Sequence, residues 1–282
     1  MRRAVILAHY DQDGIIDPYV IRALHGYRAI ADRLVLVSAS ASSLPAALAD
    51  VVDDFLPREN VGYDFCSWRD GIARLGDPRQ FDEIVCANDS VYGPLVDLGP
   101  VMSDPRVAGA DFWGMVMSAQ RGDHVQSWFF AMRRPAIESR AFGEFWKTVA
   151  PQSSKGQVID RYEVGLTQAF AAAGFRVAAI YDGRQCGPPT LRERLRNVSP
   201  LEVQRFGRHA RRVKRMGPPF NPSELFWERA CDAGVPYLKA AIFRANPYRV
   251  DVRRVLARAV NRWPEWAALI RSHLDRVGIA PG

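Results

Sequence analysis

No stretch of this 282-residue chain approaches the run of about 18 apolar residues that a membrane-spanning helix needs. The one N-terminal candidate, Ala4-Val5-Ile6-Leu7-Ala8 behind Arg2 and Arg3, stops at His9-Tyr10-Asp11. That is too short for the hydrophobic region of a secretory signal and suits a first buried strand, so a cytoplasmic location is expected. Cysteine is scarce: Cys66, Cys86, Cys186 and Cys231 lie far apart and form no CxxC pair. A metal cluster and a disulfide framework are both disfavoured, leaving reduced, partly buried thiols. Internal repeats and low-complexity tracts are absent. Lysine is nearly missing, with 4 against 34 arginines, a bias that codon usage alone can produce. What is there has the composition of an ordinary globular protein, 48% hydrophobic and 24% charged. The length allows one large α/β domain or one domain with a sizeable extension.

The net charge of +7 is unevenly spread. Residues 1–182 carry 18 Lys and Arg against 23 Asp and Glu, whereas residues 183–282 carry 20 against 8. An acidic body therefore bears a strongly basic C-terminal third, which either faces something anionic or repels itself.

Strand-like runs at 4–9, 34–37, 51–56 and 83–87 alternate with helical spacing at 17–31 and 63–75. This rhythm predicts a largely parallel sheet with helices on both faces. In such sheets ligands sit outside the carboxyl ends of the strands, which directs attention to 9–13, 38–43, 59–64 and 88–93. Residues 111–118 and 125–133 read as longer strands, 135–149 and 158–173 as helices, the latter capped by Gly174, and 175–181 as a last strand. The Gly- and Pro-rich stretch 183–189 is the natural hinge. A domain over 1–189 and a basic, mostly helical region over 190–282 packed on it are expected.

Four segments carry a resemblance: His9-Tyr10-Asp11, Arg58-Glu59-Asn60-Val61-Gly62-Tyr63-Asp64-Phe65, Asn88-Asp89-Ser90-Val91-Tyr92-Gly93-Pro94 and Tyr162-Glu163-Val164-Gly165-Leu166-Thr167. Between and after them stand Asp111-Phe112-Trp113-Gly114, Gln126-Ser127, Phe145-Trp146, Asn221-Pro222, Phe226-Trp227 and Asn246-Pro247. In that order, over nearly the whole chain, they resemble the rhamnan-synthesis protein F family. The resemblance implies a GT-A-like, Rossmann-like mixed sheet flanked by helices, with a basic helical C-terminal extension. It also implies a glycosyltransferase of surface-polysaccharide or O-antigen synthesis, inverting by single displacement. The implied donor is a nucleotide-sugar of dTDP-rhamnose or GDP-rhamnose type, and the implied acceptor is lipid-linked or an oligosaccharide.

The residues themselves allow the same chemistry and a plainer one. Asp89, after the strand 83–87, would project at the sheet's carboxyl edge. There a Mg²⁺ or Mn²⁺ ion would neutralise a departing diphosphate; Asp89 would equally suit a cap of the turn that follows. Many GT-A enzymes carry Asp-x-Asp at this place, and here Asn88-Asp89-Ser90 holds one acid, with Asn88 and Ser90 on the donor side. In 58–65, Gly62 lets the backbone approach a ligand, Asn60 and Asp64 can bind sugar or ribose hydroxyls, and Arg58 can pair with phosphate. The alternative is a plain helix N-terminus with Asp64 in its first turn. Glu163 is the candidate general base for the acceptor hydroxyl, against an ordinary first-turn glutamate. His9, Tyr10 and Asp11 end the first strand, where a nucleobase or ribose docks. His124 and Gln126 would line the acceptor side, and Trp113 would stack on a sugar or belong to the core.

In the basic third, Val252, Val255, Leu256, Ala259, Val260 and Trp263 form one helical stripe, and Arg208, Arg211, Arg212, Lys214 and Arg215 a cluster. Peripheral docking on an anionic inner leaflet and plain packing on the body both fit. Two other functions compete. A sugar-binding subunit would keep the fold without turnover. A nucleic-acid-binding protein would fit the pI near 9.5, but no helix-turn-helix, zinc finger or RNA-binding aromatic signature is present, so no nucleic-acid partner is expected.

Overall fold

The computed structural model describes residues 1–199 and 201–279. Among them run ten strands: β1 (Arg3–His9), β2 (Arg33–Ser38), β3 (Asp54–Pro57), β4 (Glu83–Asn88), β5 (Val91–Tyr92), β6 (Phe112–Ser118), β7 (His124–Val125), β8 (Phe129–Arg133), β9 (Val177–Asp182) and β10 (Leu238–Lys239). Eight of them form one sheet in the order β3-β2-β1-β4-β8-β6-β7, with β9 paired to β6, while β10 pairs with β5. The β1–β2, β2–β3 and β1–β4 pairs are parallel, and β4–β8 and β8–β6 antiparallel. The result is the expected mixed α/β sheet flanked by helices.

The apolar runs of β1 and β2 fill both faces of the sheet, as strands sandwiched between helices must. Val5, Leu7, Leu34 and Leu36 pack with Tyr19, Val20, Leu24 and Tyr27 of the helix Pro18–Arg28. Ala4, Ile6, Val35 and Val37 point the other way, onto Phe65, Trp68 and Ile72 of the helix Tyr63–Arg74. After β1 the chain goes outward to β2 and β3, then returns across β1 to β4. The strand order therefore reverses between β1 and β4, and a crevice opens at their carboxyl ends.

The start of β4 is fixed by a buried charge. Glu83 is 0% exposed. Its carboxylate accepts from Arg3 Nε of β1 (2.6 Å), Arg133 Nε of β8 (3.2 Å) and Trp113 Nε1 of β6 (3.0 Å). Trp113 is thus a fully buried core residue bonded inward, which corrects its placement as a sugar-stacking residue; Trp128 and Trp146 are core as well.

Several element boundaries differ from the sequence expectation. The third strand covers 54–57 rather than 51–56, because Val51 N–H and Val52 N–H bond back to the Leu48 carbonyl and close a turn. The run 125–133 splits into β7 and β8, as Gln126 N–H bonds the Val116 carbonyl between them. The stretch 135–149 breaks at Ser139, whose hydroxyl caps the helix Arg140–Thr148. The helix expected at 158–173 begins at Lys155, passes through a π-helical turn at Ile159–Val164 and continues as Gly165–Ala172.

The C-terminal region is built into the body. Val213, Trp227, Leu256, Trp266, Ile270 and Leu274 belong to the same hydrophobic cluster as Val5, Leu7 and Tyr19. The helix Val252–Arg262 buries Val255, Leu256 and Ala259, so packing explains most of its apolar stripe, while Val260 stays exposed. Its arginines are tied down too, Arg258 to Glu228 (3.2 Å) and Arg253 to Asp251 (3.0 Å). All four cysteines are free thiols, three of them buried. No helix among the described residues is long and apolar enough to cross a membrane.

Replacing Glu83 by Gln keeps the shape but leaves Arg3 and Arg133 without their shared charge. The expected cost is about 3–5 kcal/mol, as for breaking a buried ion pair by one partner. Urea unfolding read by tryptophan fluorescence measures it, and an unchanged midpoint would show that Glu83 is not an anchor.

Candidate active site

The crevice is framed by the ends of β1 and β4, where Ala8 lies opposite Asn88. The two chain exits, His9–Asp11 and Asp89–Ser90, therefore leave the sheet side by side. Asp89 Oδ2 accepts the Tyr10 N–H at 2.8 Å and lies 3.9 Å from His9 Nε2. The Tyr19 hydroxyl donates to the Asp89 carbonyl (3.1 Å). Asp89 thus caps no following helix; it bridges the two strand ends. Burial, with the negative charges of Asp64 and Asp11 added, pushes its carboxyl up to about 8. His9 is buried, with Nδ1 2.9 Å from Ser38 Oγ, and burial lowers its pKa.

Asn88 organises the next layer. Its Nδ2 donates to Asp64 Oδ2 (2.7 Å), and its Oδ1 accepts from the Ser90 N–H (3.1 Å) and Ser90 Oγ (2.6 Å). Burial raises the Asp64 pKa. From the C-terminal region, Lys239 Nζ donates to Ser90 Oγ (2.9 Å) and stands 5.8 Å over the Trp128 ring. The β5–β10 pairing, with Lys239 opposite Val91, delivers that ammonium. Burial lowers the Lys239 pKa, opposed by the negative charges of Glu163, Glu224 and Asp64. Burial also raises the Glu224 pKa.

Glu163 sits inside the π-helical turn, well past the helix start, so the dipole of a first turn does not account for it. Its Oε1 is 3.1 Å from His124 Nε2, and its Oε2 accepts from Ser127 Oγ (2.8 Å). His124 Nδ1 lies 2.8 Å from the Gly122 carbonyl, which can only accept, so Nδ1 carries a proton. Nε2 and Oε1 must then share another. Burial favours neutral imidazole, yet the hydrogen bond and charge of Glu163 outweigh it and hold His124 above its ordinary value. Burial would raise Glu163, but His124 and Ser127 pull it below the usual carboxylate range. The pairing thus favours the imidazolium of His124 and the carboxylate of Glu163 over their neutral forms.

The structure gathers Asp64, Asn88, Asp89 and Ser90 as the sequence suggested, and sets Glu163 and His124 in direct contact. Other candidates are committed elsewhere. Arg58 is spent on its own loop, donating to Asp70 (3.0 Å), Ser67 (3.3 Å) and the Val61 carbonyl (2.7 Å), which leaves it a loop brace rather than a phosphate ligand. Gly62 is needed for its backbone: φ is +87°, and a Cβ would stand 2.3 Å from Cys66 Sγ. Asn60 is exposed, as is Tyr63, a non-glycine residue at φ 57°. Tyr10 is half-exposed beside Asp89, its ring free for stacking. Asp11 is clamped by Arg276, which also holds Asp13 (2.9 Å) and Asp17 (2.9 Å). Gln126 is buried, donating to Asn221 (3.0 Å) and accepting from Trp128 (3.0 Å), so it supports the wall instead of facing an acceptor.

Lys239, Arg276, Tyr19 and Glu224 were not singled out from sequence, and Ser127 entered only as part of the Gln126-Ser127 resemblance. Lys239 did leave a signal: it is the lone charge in Tyr237-Leu238-Lys239-Ala240-Ala241-Ile242-Phe243. Arg276 left none, being one arginine among many.

Among the described residues no three His, Cys, Asp or Glu side chains close into a metal cage. The edge offers instead Asp89, with Asp64 and Asp11 adding negative charge. A single carboxylate of this kind, Asp89, fits a hard cation that takes the rest of its shell from phosphate and water.

Comparison with known proteins gives a family match: the model of rhamnan synthesis protein F covers residues 34–196. The uncharacterized protein y4gN of Sinorhizobium fredii is 25% identical over 151 residues, 52% of this chain and 39% of that protein. The chain thus spans well under half of that relative. Virulence protein VirA of Vibrio anguillarum is 23% identical over 220 residues, 76% of this chain and 70% of that one. Among solved structures, glucosyl-3-phosphoglycerate synthase from Mycobacterium tuberculosis, in complex with Mn²⁺, UDP and its product, overlaps 75% of this chain and 78% of its own. The identity is 10% and the TM-score 0.38, a general likeness that assigns no function.

The His124–Glu163 pair yields a pH prediction. The histidine's contribution to stability is full below its unfolded value of 6.5 and is lost as pH rises through its raised folded value. The glutamate's is full above 4.5 and is lost as pH falls through its lowered one. In Glu163→Gln, burial acts without the carboxylate's opposition, so the His124 imidazole should titrate lower than in wild type, followed by ¹⁵N NMR of the ring. An unshifted titration would disprove the pairing.

Proposed function

The chain belongs to the rhamnan synthesis protein F family, and from that premise we propose an inverting glycosyltransferase that moves a sugar from a nucleotide-diphosphate donor. The observation that carries the reading is the cluster at the strand-order reversal: Asp89, Asp64, Asn88, Ser90 and Lys239 at the carboxyl ends of β1 and β4, facing Glu163. Parallel sheets bind nucleotides at this place, and the family membership points to rhamnose-containing glycans.

In this reading the donor's diphosphate lies across His9–Asp11 and Asn88–Ser90, with Tyr10 beside the base or ribose. Asp89, with Asp64 behind it, would hold a Mg²⁺ or Mn²⁺ ion, which supplies positive charge to the leaving diphosphate. Lys239 supplies a fixed cation from the protein itself, already desolvated and so effective on developing negative charge. Glu163 takes the acceptor's proton at Oε2, the position that Ser127 Oγ fills. Its lowered pKa makes it a weak base, suited to a transfer late in bond formation. A single displacement needs one such base and no covalent intermediate. The finer assignments are a dTDP- or GDP-rhamnose donor, a lipid-linked or oligosaccharide acceptor of surface polysaccharide, and a cytoplasmic enzyme in peripheral contact with anionic membrane. The weakness of Glu163 as a base favours one second reading, a subunit that binds donor and does not turn it over.

The test is binding and turnover of a panel of nucleotide-sugars, with and without Mg²⁺ or Mn²⁺, by wild type, Asp89→Asn and Glu163→Gln. Asp89→Asn should lose at least about tenfold in metal-dependent affinity, since loss of a group that merely supports a metal ligand already costs about 10–100-fold. Glu163→Gln should bind donor within about twofold yet lose about 10²–10⁴ in turnover, the range for a general base. Binding without turnover in wild type would select the silent subunit. Failure to bind any nucleotide would sink the transferase.

A further inference from the structure

A cavity of about 710 Å³ opens in the C-terminal region, and no residue of the β1–β4 crevice lines it. One wall is the helix Val203–Met216, which turns Arg205, Arg208, Arg211, Arg212 and Arg215 toward it; Arg244 and Arg249 come from the opposite segment. The 208/212 and 211/215 pairs repeat at i, i+4, where like charges oppose helix formation. Folding alone therefore gives no reason for the arrangement.

Elsewhere most of this chain's arginines pair with carboxylates, as Arg3, Arg106, Arg184, Arg258 and Arg276 do. At the cavity the habit stops. Arg205 meets Glu202 (3.0 Å) and Asp251 (3.8 Å). Among the described residues, Arg208, Arg211, Arg212, Arg215, Arg244 and Arg249 have no carboxylate within ion-pair distance. Arg211 and Arg212 donate only to backbone carbonyls, of Gly207 (3.2 Å) and Pro247 (2.7 Å).

The two walls are held rigidly against each other. His209 Nδ1 on the helix bonds the Tyr248 carbonyl (2.7 Å), and the Asn221 N–H donates to the Tyr248 hydroxyl (2.8 Å). Asn246 closes the loop on itself through the Val250 N–H (2.8 Å) and carbonyl (2.7 Å). Within that loop Asn246 and Arg249 sit at φ 40° and 57°. An arginine in the left-handed region is strained, and such strain collects at binding sites.

We propose that this cavity is a second anion site that binds a diphosphate ester. Guanidinium forks match phosphate oxygens two by two, and six uncompensated cations over this volume exceed what a single phosphate would need. The same diphosphate chemistry can be presented by a soluble nucleotide or by a lipid headgroup. The site is separate from the donor crevice, and its test does not depend on the donor reading.

The experiment is calorimetric titration of the full chain with inorganic pyrophosphate in EDTA, which silences metal-linked binding at Asp89. Wild type should bind saturably. The double variant Arg208→Ser, Arg249→Gly should lose at least tenfold, and Arg140→Ser, a surface arginine paired with Glu144, should stay within twofold. Both cavity substitutions relieve repulsion or strain, so the variant should melt no lower than wild type, and its binding loss is then not unfolding. Sedimentation with phosphatidylcholine vesicles carrying a polyprenyl diphosphate, competed by pyrophosphate and lost in the double variant, assigns the diphosphate to lipid; pyrophosphate binding without vesicle binding assigns it to a soluble ester. Equal pyrophosphate affinity in wild type and double variant, or no saturable binding, overturns the proposal. So does duplex DNA bound more tightly than pyrophosphate through the same arginines.

Discussion

The buried carboxylate of Glu83 is the constraint from which the site geometry follows. It joins three strands that differ in direction: β1 runs parallel to β4, β8 antiparallel to it, and β6 lies one strand farther out. A charge with no solvent contact demands its partners in place, since an unpaired one would cost several kcal/mol. Meeting that demand sets β4 in register with both neighbours. Five residues later the same strand ends at Asn88, and the fixed register decides what Asn88 and Asp89 touch.

The carboxyl end of β4 is then completed from far away in sequence. Lys239 reaches Ser90 through the β5–β10 pairing, and Arg276 clamps the loop after β1 through Asp11, Asp13 and Asp17. The basic C-terminal third is thus two things at once. Some of its cations lock the acidic body, which accounts for part of the charge asymmetry. Others, around the helix Val203–Met216, are left over from that pairing.

The alternation of the first four strands and two helices was legible from their apolar runs and helical spacing, and the strand-end rule then pointed to 9–13, 38–43, 59–64 and 88–93. Boundaries were lost where hydrogen bonds rather than hydropathy decide, as at Val51-Val52 and Ser139. Roles were lost where a side chain's partners are distant. Arg58 looks like a phosphate ligand until Asp70 and Ser67 are seen to claim it, and Trp113 looks like a sugar platform until Glu83 is seen to hold its indole. The contact between His124 and Glu163, 39 positions apart, has no signature in either segment. Family resemblance singled out Glu163, and position beside the strand 125–133 singled out His124; only the fold brings the two together.

The central claim is that a nucleoside diphosphate and its cation lie at the reversal between β1 and β4. Paramagnetic broadening of backbone amides by Mn²⁺, measured by NMR with a nucleoside diphosphate present, tests it most directly. The account predicts that Tyr10, Asn88, Asp89 and Ser90 broaden first and only when the nucleotide is added. Broadening centred elsewhere, or none at saturating nucleotide, would contradict it.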